Sequence, residues 1–510
     1  MNAPRPRVVH VPGNEVLPDA RVLKYLATMD RWGLDTYAVG VTRRGGDRDL
    51  TLGGVTVLIR SVPTPPARPT SPARRRALTT VLAAPGSDTA LAEARATVRR
   101  WRSTAARRRG VRRTALRSAV LLARVWLRVS RAVVERRPRP RPEELGDGER
   151  RRAAEIARYR STRHRVRWRE ELPVVAEDER VIGALLDELE PDVIHVHDVF
   201  MLGVAAESVR RARDAGRQVR LVYDAHEYIP GLAVVPARTV AAYCDIEREY
   251  IGEVDRVVTV SEPLAALLEA DHHMHSSPTV VLNAPTVAAP PPGFRTVREV
   301  VGLADDVPLM VYGGGVNAAR GVDTAVAALP ALPGVHLAVV IHRRNHVVEA
   351  LLSQAEALGV ADRVHLAPFV PPELVTRYFS TVTLGLSTLL HAPNHDVAVT
   401  NKFCEYLTAG VPIVTSDTPA QADLVRELDL GAVYPAGDAD ALARAVQSVL
   451  ADHPRLSARI AQDGALRRRF SWSAQAETIR TLYTDLLGEL PAEAWRPDAL
   501  DIRRVSPEDA

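Results

Sequence analysis

The alternation of apolar runs and helical stripes is the first signal in this chain. From Arg7, "RVVHVPG" is a short apolar run. "DARVLKYLATMDRWG" follows, with Val22, Leu23, Tyr25, Leu26 and Met29 close to helical spacing, ending at Gly33. "DTYAVGV" and "GVTVLIR" read as strands, and the Pro-rich "VPTPPARPTSP" then breaks the pattern. After Pro191 the alternation resumes: "DVIHVHD", "GVAAESVRRARDAG", "VRLVYDAHEY", "VAAYCDIEREYIGEV", "DRVVTVS", "EPLAALLEA", "TVVLNAP". A linker-like "NAPTVAAPPPGF" precedes a second series from "PLMVYGGG" to "DADALARAVQSVLAD". Strand and helix units of this length predict parallel sheets covered by helices on both faces.

The expected architecture is α/β, with two doubly wound Rossmann-like domains in tandem. The first spans 1–290 and carries a helical insertion at about 62–170. The second spans 291–487, and 488–510 is a polar tail. A chain of 510 residues that is 46% hydrophobic can bury two such cores. Two cysteines, Cys244 and Cys404, give no disulfide framework and point to a reducing, cytoplasmic compartment. The N-terminus reads as lacking a signal peptide, and no apolar run reaches spanning length.

Charge changes the picture. The net +5 conceals +20 between Ser71 and Glu170, which leaves −15 elsewhere. Within "VRRTALRSAVLLARVWLRVSRAVV", Arg113, Arg117, Arg124, Arg128 and Arg131 share one helical face, while Leu122, Val125, Trp126, Leu127, Val129 and Val133 take the remainder. This predicts a basic amphipathic helix with a membrane-surface role for Arg113, Arg117, Arg124, Trp126 and Arg128. "RPRPRPEELGDGERR" reads as a hinge after it. An Arg-rich nucleic-acid-binding protein is the competing class. The absence of a recognisable binding motif and an aromatic content of 5% argue against nucleic acid as partner.

Candidate chemistry concentrates in the second series. Gly313, Gly314 and Gly315 follow a strand and allow close backbone approach, with Arg320 as a charged fork near the expected helix start. In "NKFCEYLTAG", Lys402 and Glu405 share a helical face. The bland reading is a surface ion pair; the sharper one is a site for a phosphate and a diol. Lys402 is one of only two lysines, the other being Lys24, in a chain that otherwise writes its cations as Arg. His195 and His197 lie two apart on a strand, so they face the same side, but no spacing supplies further metal ligands; a structural or acceptor-side role is expected there, and no metal. "DHHMHSS" reads as an exposed turn.

"GGG…ARGVDTAV" followed by "NKFCEYLTAGVPIVTSD" resembles the donor domain of family 4-type glycosyltransferases, which have the GT-B fold. "DVIHVHD", "LVYDAHEY", "EVDRVVTVSEPLAALL" and "VVLNAP" resemble the acceptor-side domain, and "GNEVLPDARVLKYLATMDRWGLDTYAV" its opening, with Asn14 and Asp19 on the acceptor side. The resemblance runs from Val8 to Leu487, apart from the basic block. It implies a nucleotide-sugar donor, UDP- or GDP-linked, and a glycan or lipid-linked acceptor in cell-surface glycan synthesis, with retention and no cofactor or divalent metal. Gly314, Gly315, Arg320, Lys402 and Glu405 take the donor-binding positions; Arg320 and Lys402 stabilise the leaving diphosphate, Glu405 meets the ribose, and His226 is the cleft histidine beside the transferred sugar. One departure stands out. The family often carries a second glutamate, which would fall at Val397. Its absence keeps open an inactive GT-B homologue acting as a partner subunit.

Overall fold

The computed structural model describes residues 5–64, 94, 97–98, 101–102, 120–127, 142–161, 165–233, 235–274 and 276–491, with side chains of 142–150 left undescribed. Arg113, Arg117, Arg128 and the sequence from 492 lie outside that range. The first sheet has the order β3-β4-β2-β1-β5-β6-β7-β8. Its strands are β1 (Arg7–Pro12), β2 (Asp35–Thr42), β3 (Arg48–Leu52), β4 (Val55–Ser61), β5 (Val193–His197), β6 (Arg220–Ala225), β7 (Arg256–Thr259) and β8 (Thr279–Val280). β1 pairs in parallel with β2 and β5, and β5, β6, β7 and β8 continue in parallel. The antiparallel β3–β4 hairpin turns through Gly53, at φ 61. The apolar pattern missed β3, because "RDLTL" is a half-exposed strand with few apolar residues.

The second sheet runs β11-β10-β9-β12-β13-β14, from β9 (Leu309–Gly313), β10 (His336–Ile341), β11 (Val364–Pro368), β12 (Leu384–Ser387), β13 (Ile413–Ser416) and β14 (Gly431–Tyr434). Every pair is parallel. In both sheets the strand order reverses beside the first strand, between β1 and β5 and between β9 and β12. Ligands in open α/β sheets bind outside the carboxyl ends of the strands at such reversals.

Apolar clusters cover both faces of the second sheet, one around Val322, Val326, Leu351 and Leu442, the other around Phe379, Phe403, Leu407 and Phe470. The final helix, Trp472–Leu487, packs Trp472, Ile479, Leu482 and Tyr483 against Val8, Tyr25, Val193 and Val222 of the first. The chain therefore crosses between the sheets twice, once near Asn283–Pro285 and once before Trp472.

Contacts divide the chain into two compact units: Met1–Arg60, Ile182–Tyr228 and Tyr250–Ala510, which holds both sheets, and Ser61–Val181 with Ile229–Glu249. In the second unit a helix spans Pro142–Arg160, correcting the expected hinge from Pro142 onward. Pro142 opens this helix, where its missing backbone N–H is no loss. Asp245 on helix Ala237–Tyr250 accepts from the Arg165 guanidinium at 2.8 Å and from the Trp168 backbone N–H at 3.2 Å. Residues 120–127 are helical, and Val120, Ala123 and Leu127 pack against Ala94, Val98 and Trp101. Leu122, Val125 and Trp126 are exposed, Leu122 at 71%, as is Arg124.

Candidate active site

At the reversal of the second sheet the two central loops press together. A Cβ at Gly321 would lie 2.2 Å from Thr388 O, and Thr388 Oγ1 donates to Arg320 O at 2.7 Å. Tyr406 bridges the gap below, where its hydroxyl accepts from Gly313 N at 3.1 Å and lies 3.2 Å from Val311 O. Gly385 makes room for this ring, since a Cβ there would stand 2.3 Å from it. The loop after β9 differs from expectation. A 3-10 turn, Ala318–Arg320, intervenes before the helix Val322–Ala328.

Lys402 and Glu405 project from helix Asn401–Ala409, which Gly410 closes at φ 80. The bland alternative, a surface ion pair, is not what forms: Lys402 is buried and makes no salt bridge with Glu405. Lys402 is 7% exposed, and its ammonium lies 4.9 Å from the Tyr312 ring centroid. Gly314, at φ 120, passes over it; a Cβ there would be 3.8 Å from Lys402 Nζ. Burial, reinforced by Arg320 and partly opposed by Glu405, lowers the Lys402 ammonium to about 7. Burial pushes the Glu405 carboxyl up to about 7, against the pull of Lys402 and Lys24. Among the described residues, the side chains of Lys402, Arg320 and Glu405 make no hydrogen bond. Two cations and one carboxylate therefore lie in one another's field without a hydrogen bond, an arrangement suited to an anion beside a diol.

The first sheet's reversal is richer in histidine than its spacing foretold. Parallel register sets His10 beside His195. His10, His195 and His197 are buried with His10 Nδ1 3.0 Å from His197 Nε2, and His195 Nδ1 2.7 Å from Tyr483 Oη. Burial holds His10 and His195 well below the ordinary histidine range, so both are neutral. Additional metal-ligand candidates thus exist, in two groups: His10, His195 and His197, or His197, Asp224 and His226. In each group the candidate ligand atoms lie within 4.8 Å of one another. The His195 and His197 rings stack, 4.6 Å apart and 6° from parallel. Asp224 is already held by the buried Arg21 guanidinium through two hydrogen bonds, of 2.8 and 2.9 Å.

His226 follows β6 and remains 16% exposed, with Nδ1 3.4 Å from Asp198 and Nε2 3.2 Å from Asp224. Burial alone would depress this imidazole, but the two carboxylates overcome it and raise it to about 10. It is an imidazolium at neutral pH, able to donate and unable to act as a base. Asp198 holds its position in the left-handed region at φ 63. Relative to the ordinary value of 6.5, the raised His226 pKa stabilises the fold fully below pH 6.5, and that contribution is lost as pH rises through about 10. We expect urea denaturation to show wild type losing stability relative to His226→Asn between pH 7 and 10.

Asn14 and Asp19 are brought together, and both have structural duties. Asn14 Nδ2 donates to Asp19 Oδ2 at 2.9 Å, and Asp19 caps helix Ala20–Arg31 by accepting from Arg21 N and Val22 N. Hydrogen bonds connect the carboxyl ends of the two sheets: Tyr228 N donates to Asn394 Oδ1 at 2.7 Å, and Ser261 Oγ donates to Val397 O at 2.5 Å. His226 and the Lys402 site thus belong to facing strand ends.

Two Rossmann-type parallel sheets with facing carboxyl strand ends are the arrangement of the GT-B fold. Residues 108–284 match the family described as Glycosyltransferase Family 4, and residues 294–467 match Glycosyl transferases group 1. The chain belongs to the family 4 glycosyltransferases of GT-B fold. It is 28% identical over 258 residues to a D-inositol 3-phosphate glycosyltransferase of Xylanimonas cellulosilytica, covering 48% of this chain and 60% of that protein. It is 27% identical over 250 residues to a lipopolysaccharide core biosynthesis mannosyltransferase of Rhizobium leguminosarum bv. viciae, covering 47% and 67%. In fold it is similar to sucrose-phosphate synthase from Thermosynechococcus elongatus, at TM-score 0.59 and 14% identity over 94% of this chain and 99% of that one. It is also similar to the structure described as trehalose-6-phosphate from E. coli bound with UDP-2-fluoro glucose, at TM-score 0.57 and 13% identity over 95% and 100%.

Proposed function

We propose that the protein transfers a sugar from a nucleotide-sugar to a glycan or lipid-linked acceptor in cell-surface glycan synthesis, with retention. The observation that carries this reading is Lys402, buried beneath Gly314 without a hydrogen bond and within the field of Arg320 and Glu405. In transfer, the bond between the anomeric carbon and the diphosphate oxygen breaks, and its electron pair stays with the diphosphate. Lys402 and Arg320 meet that growing charge from fixed positions. Glu405 accepts from the ribose hydroxyls. The acceptor oxygen bonds to the anomeric carbon and gives its proton to the departing phosphate oxygen. His226, as an imidazolium, donates to a sugar oxygen. The two named relatives act, by their names, on an inositol phosphate and in lipopolysaccharide core synthesis, which supports a polar-headgroup or glycan acceptor. Fixed cations do the work a divalent metal would do, so chelators should leave turnover intact.

Glu405→Gln should raise the donor KM about tenfold, the loss of one charge-assisted hydrogen-bond set, with a smaller change in kcat. Steady-state assays of nucleoside diphosphate release from UDP- and GDP-sugars check this; unchanged KM would remove Glu405 from the site.

A second reading is favoured by one observation. Val397 stands where a carboxylate often stands in the family; it is buried, and its carbonyl is taken by Ser261. Nucleotide binding without turnover, with any acceptor or by hydrolysis, would make the chain a non-catalytic partner subunit.

The insertion adds a surface to this function. Leu121, Leu122 and Val125 expose 63%, 71% and 52% of their surface on one helix, in a stretch carrying +20. No helix among the described residues is long and apolar enough to cross a membrane. This combination fits docking on an anionic bilayer at the inner face of the cell membrane, at about 1 kcal/mol per basic residue. Sedimentation with phosphatidylserine vesicles should be strong at low salt, weaker at high salt, and reduced by Leu122→Ser with Trp126→Ser. Indifference to vesicle charge would end this part of the reading.

A further inference from the structure

The carboxyl ends of β1, β5 and β6 lie side by side, with β5 in the middle. The loop after β5 carries Asp198, Val199 and Phe200, and it reaches both neighbours. Asp198 leans toward β6. Its Oδ2 lies 3.4 Å from His226 Nδ1, and its backbone N–H donates to Asp224 O at 3.0 Å. The backbone is held there at φ 63, and 27% of the side chain stays exposed. Phe200 leans toward β1. A Cβ at Gly13 would stand 3.1 Å from Phe200 Cβ, so the glycine lets the two loops pass this closely. Phe200 is still 36% exposed, while Val199 between the two is buried. An aromatic surface, a carboxylate and an imidazole thus cover a strip two strand spacings wide, roughly 10 Å. Charge decides what suits this strip. The Arg21 guanidinium is committed to Asp224 and Val281 O, and His226 lies between Asp198 and Asp224. The most exposed charge of this group is the Asp198 carboxylate. A phosphate arriving here meets a like charge. The helix Leu202–Asp214 also starts here, and helix N-termini attract anions. Its start is closed to ligands, because Met201, Leu202 and Val204 are buried and Leu202 N donates to Val199 O at 3.3 Å.

We propose that Asp198 and Phe200 form the acceptor subsite and that its occupant is an uncharged pyranose, with the apolar face of the sugar on Phe200 and two neighbouring hydroxyls donating to Asp198. This rests on the sugar-transfer reading above and narrows its acceptor to the neutral sugar end of a glycan, rather than a phosphate-bearing headgroup. A pyranose turns several C–H groups to one face, and these suit the electron-rich face of an aromatic ring. Hydrogen bonds from hydroxyls to a carboxylate are charge-assisted, and the two oxygens of Asp198 can accept from two hydroxyls at once. The place also fits transfer. His226 borders Asp198 and donates to the transferred sugar in the mechanism above, so an acceptor held by Asp198 lies beside that sugar. Asn14 and Asp19, the acceptor-side residues expected from sequence, bond to each other and to the cap of helix Ala20–Arg31. The β5 loop takes the task instead.

The test is saturation-transfer NMR on the full chain with UDP or GDP present. The probes are the methyl α-pyranosides of glucose, mannose and galactose, beside myo-inositol 1-phosphate and glycerol 3-phosphate. At least one glycoside should bind more tightly than either phosphate, with the strongest transfer to protons on one face of its ring. Phe200→Ala and Asp198→Asn should each weaken that glycoside about tenfold, the loss of one aromatic contact or one charge-assisted hydrogen-bond set. Asparagine tolerates the left-handed backbone of position 198, so this variant keeps the loop. Phe200→Tyr keeps the ring and should retain binding. UDP or GDP affinity should stay at the wild-type value in all three variants. The comparison of glycosides with phosphates in wild type needs no variant to fold. Tighter binding of either phosphate than of every glycoside, no glycoside binding in a chain that binds nucleotide, or glycoside affinity untouched by both Phe200→Ala and Asp198→Asn would overturn the proposal and leave the donor site standing. A wild type that binds no nucleotide would overturn the transferase reading and this proposal with it.

Discussion

Lys402→Ala should lower kcat by about 10²–10³-fold, the loss typical of removing one preorganised group that meets transition-state charge. The donor KM should change less, because Arg320 and Glu405 remain. Lys402→Arg should not restore turnover. Gly314 passes directly over the ammonium and Tyr312 lies 4.9 Å from it, so the larger planar head has no room to take its place. A second signature separates this loss from misfolding. Burial lowers the folded-state pKa of Lys402 to about 7 from 10.5, so the charged form is disfavoured by folding at every pH below 10.5. Lys402→Met should therefore lose activity while gaining stability at pH 7. Paired kinetic and urea-denaturation measurements check both signs. A variant that is inactive and also less stable would point to a packing role instead.

Arg21→Leu should be the most destabilising single change at the first sheet's site, by about 3–5 kcal/mol, since it strands a buried carboxylate. The Arg21 and Asp224 side chains are 3% and 0% exposed and share a bidentate contact. Arg21 also donates to Val281 O at 2.9 Å, just before the first crossing. Without the guanidinium, Asp224 is left facing Tyr25, His195, His197 and His226. Its carboxyl, held well below the ordinary range chiefly by Arg21 against the cost of burial, rises. The double variant Arg21→Leu with Asp224→Leu should recover part of the loss, because no unpaired charge remains. Denaturant midpoints at constant m-value measure the effect. A loss below about 1 kcal/mol in the single variant would mean that water or His226 compensates the carboxylate.

The parts legible in sequence were those with a local period. The alternation of strands and helices fixed both sheets, and Gly33, Gly216 and Gly410 marked helix ends that the structure retains. Lys402, Glu405 and Arg320 could be placed because each follows a glycine turn or shares a helix face. The illegible parts depend on register and on chain crossings. No spacing pairs His10 with His195; only the parallel register of β1 and β5 does. Arg21 and Asp224 are 203 positions apart, and their bond follows from the helix after β1 lying against β6. The contacts of Lys24 with Asn283, Ala284 and Trp472 need both crossings in place, so no local spacing signalled them. The stretch 142–160 was misjudged because "RPRPRP" reads as a breaker, although the sequence from Pro142 onward is rich in helix formers.

A thermal-shift series against UDP, GDP, ADP, TDP and their sugars, wild type beside Lys402→Ala, tests the donor site most directly. A ligand that binds the native state raises its apparent stability by mass action. The donor-site reading predicts a rise in Tm with one nucleotide base and its sugars in wild type, and a much smaller rise in the variant. A folded wild type that shifts with none of them, or a shift that Lys402→Ala leaves untouched, would contradict it.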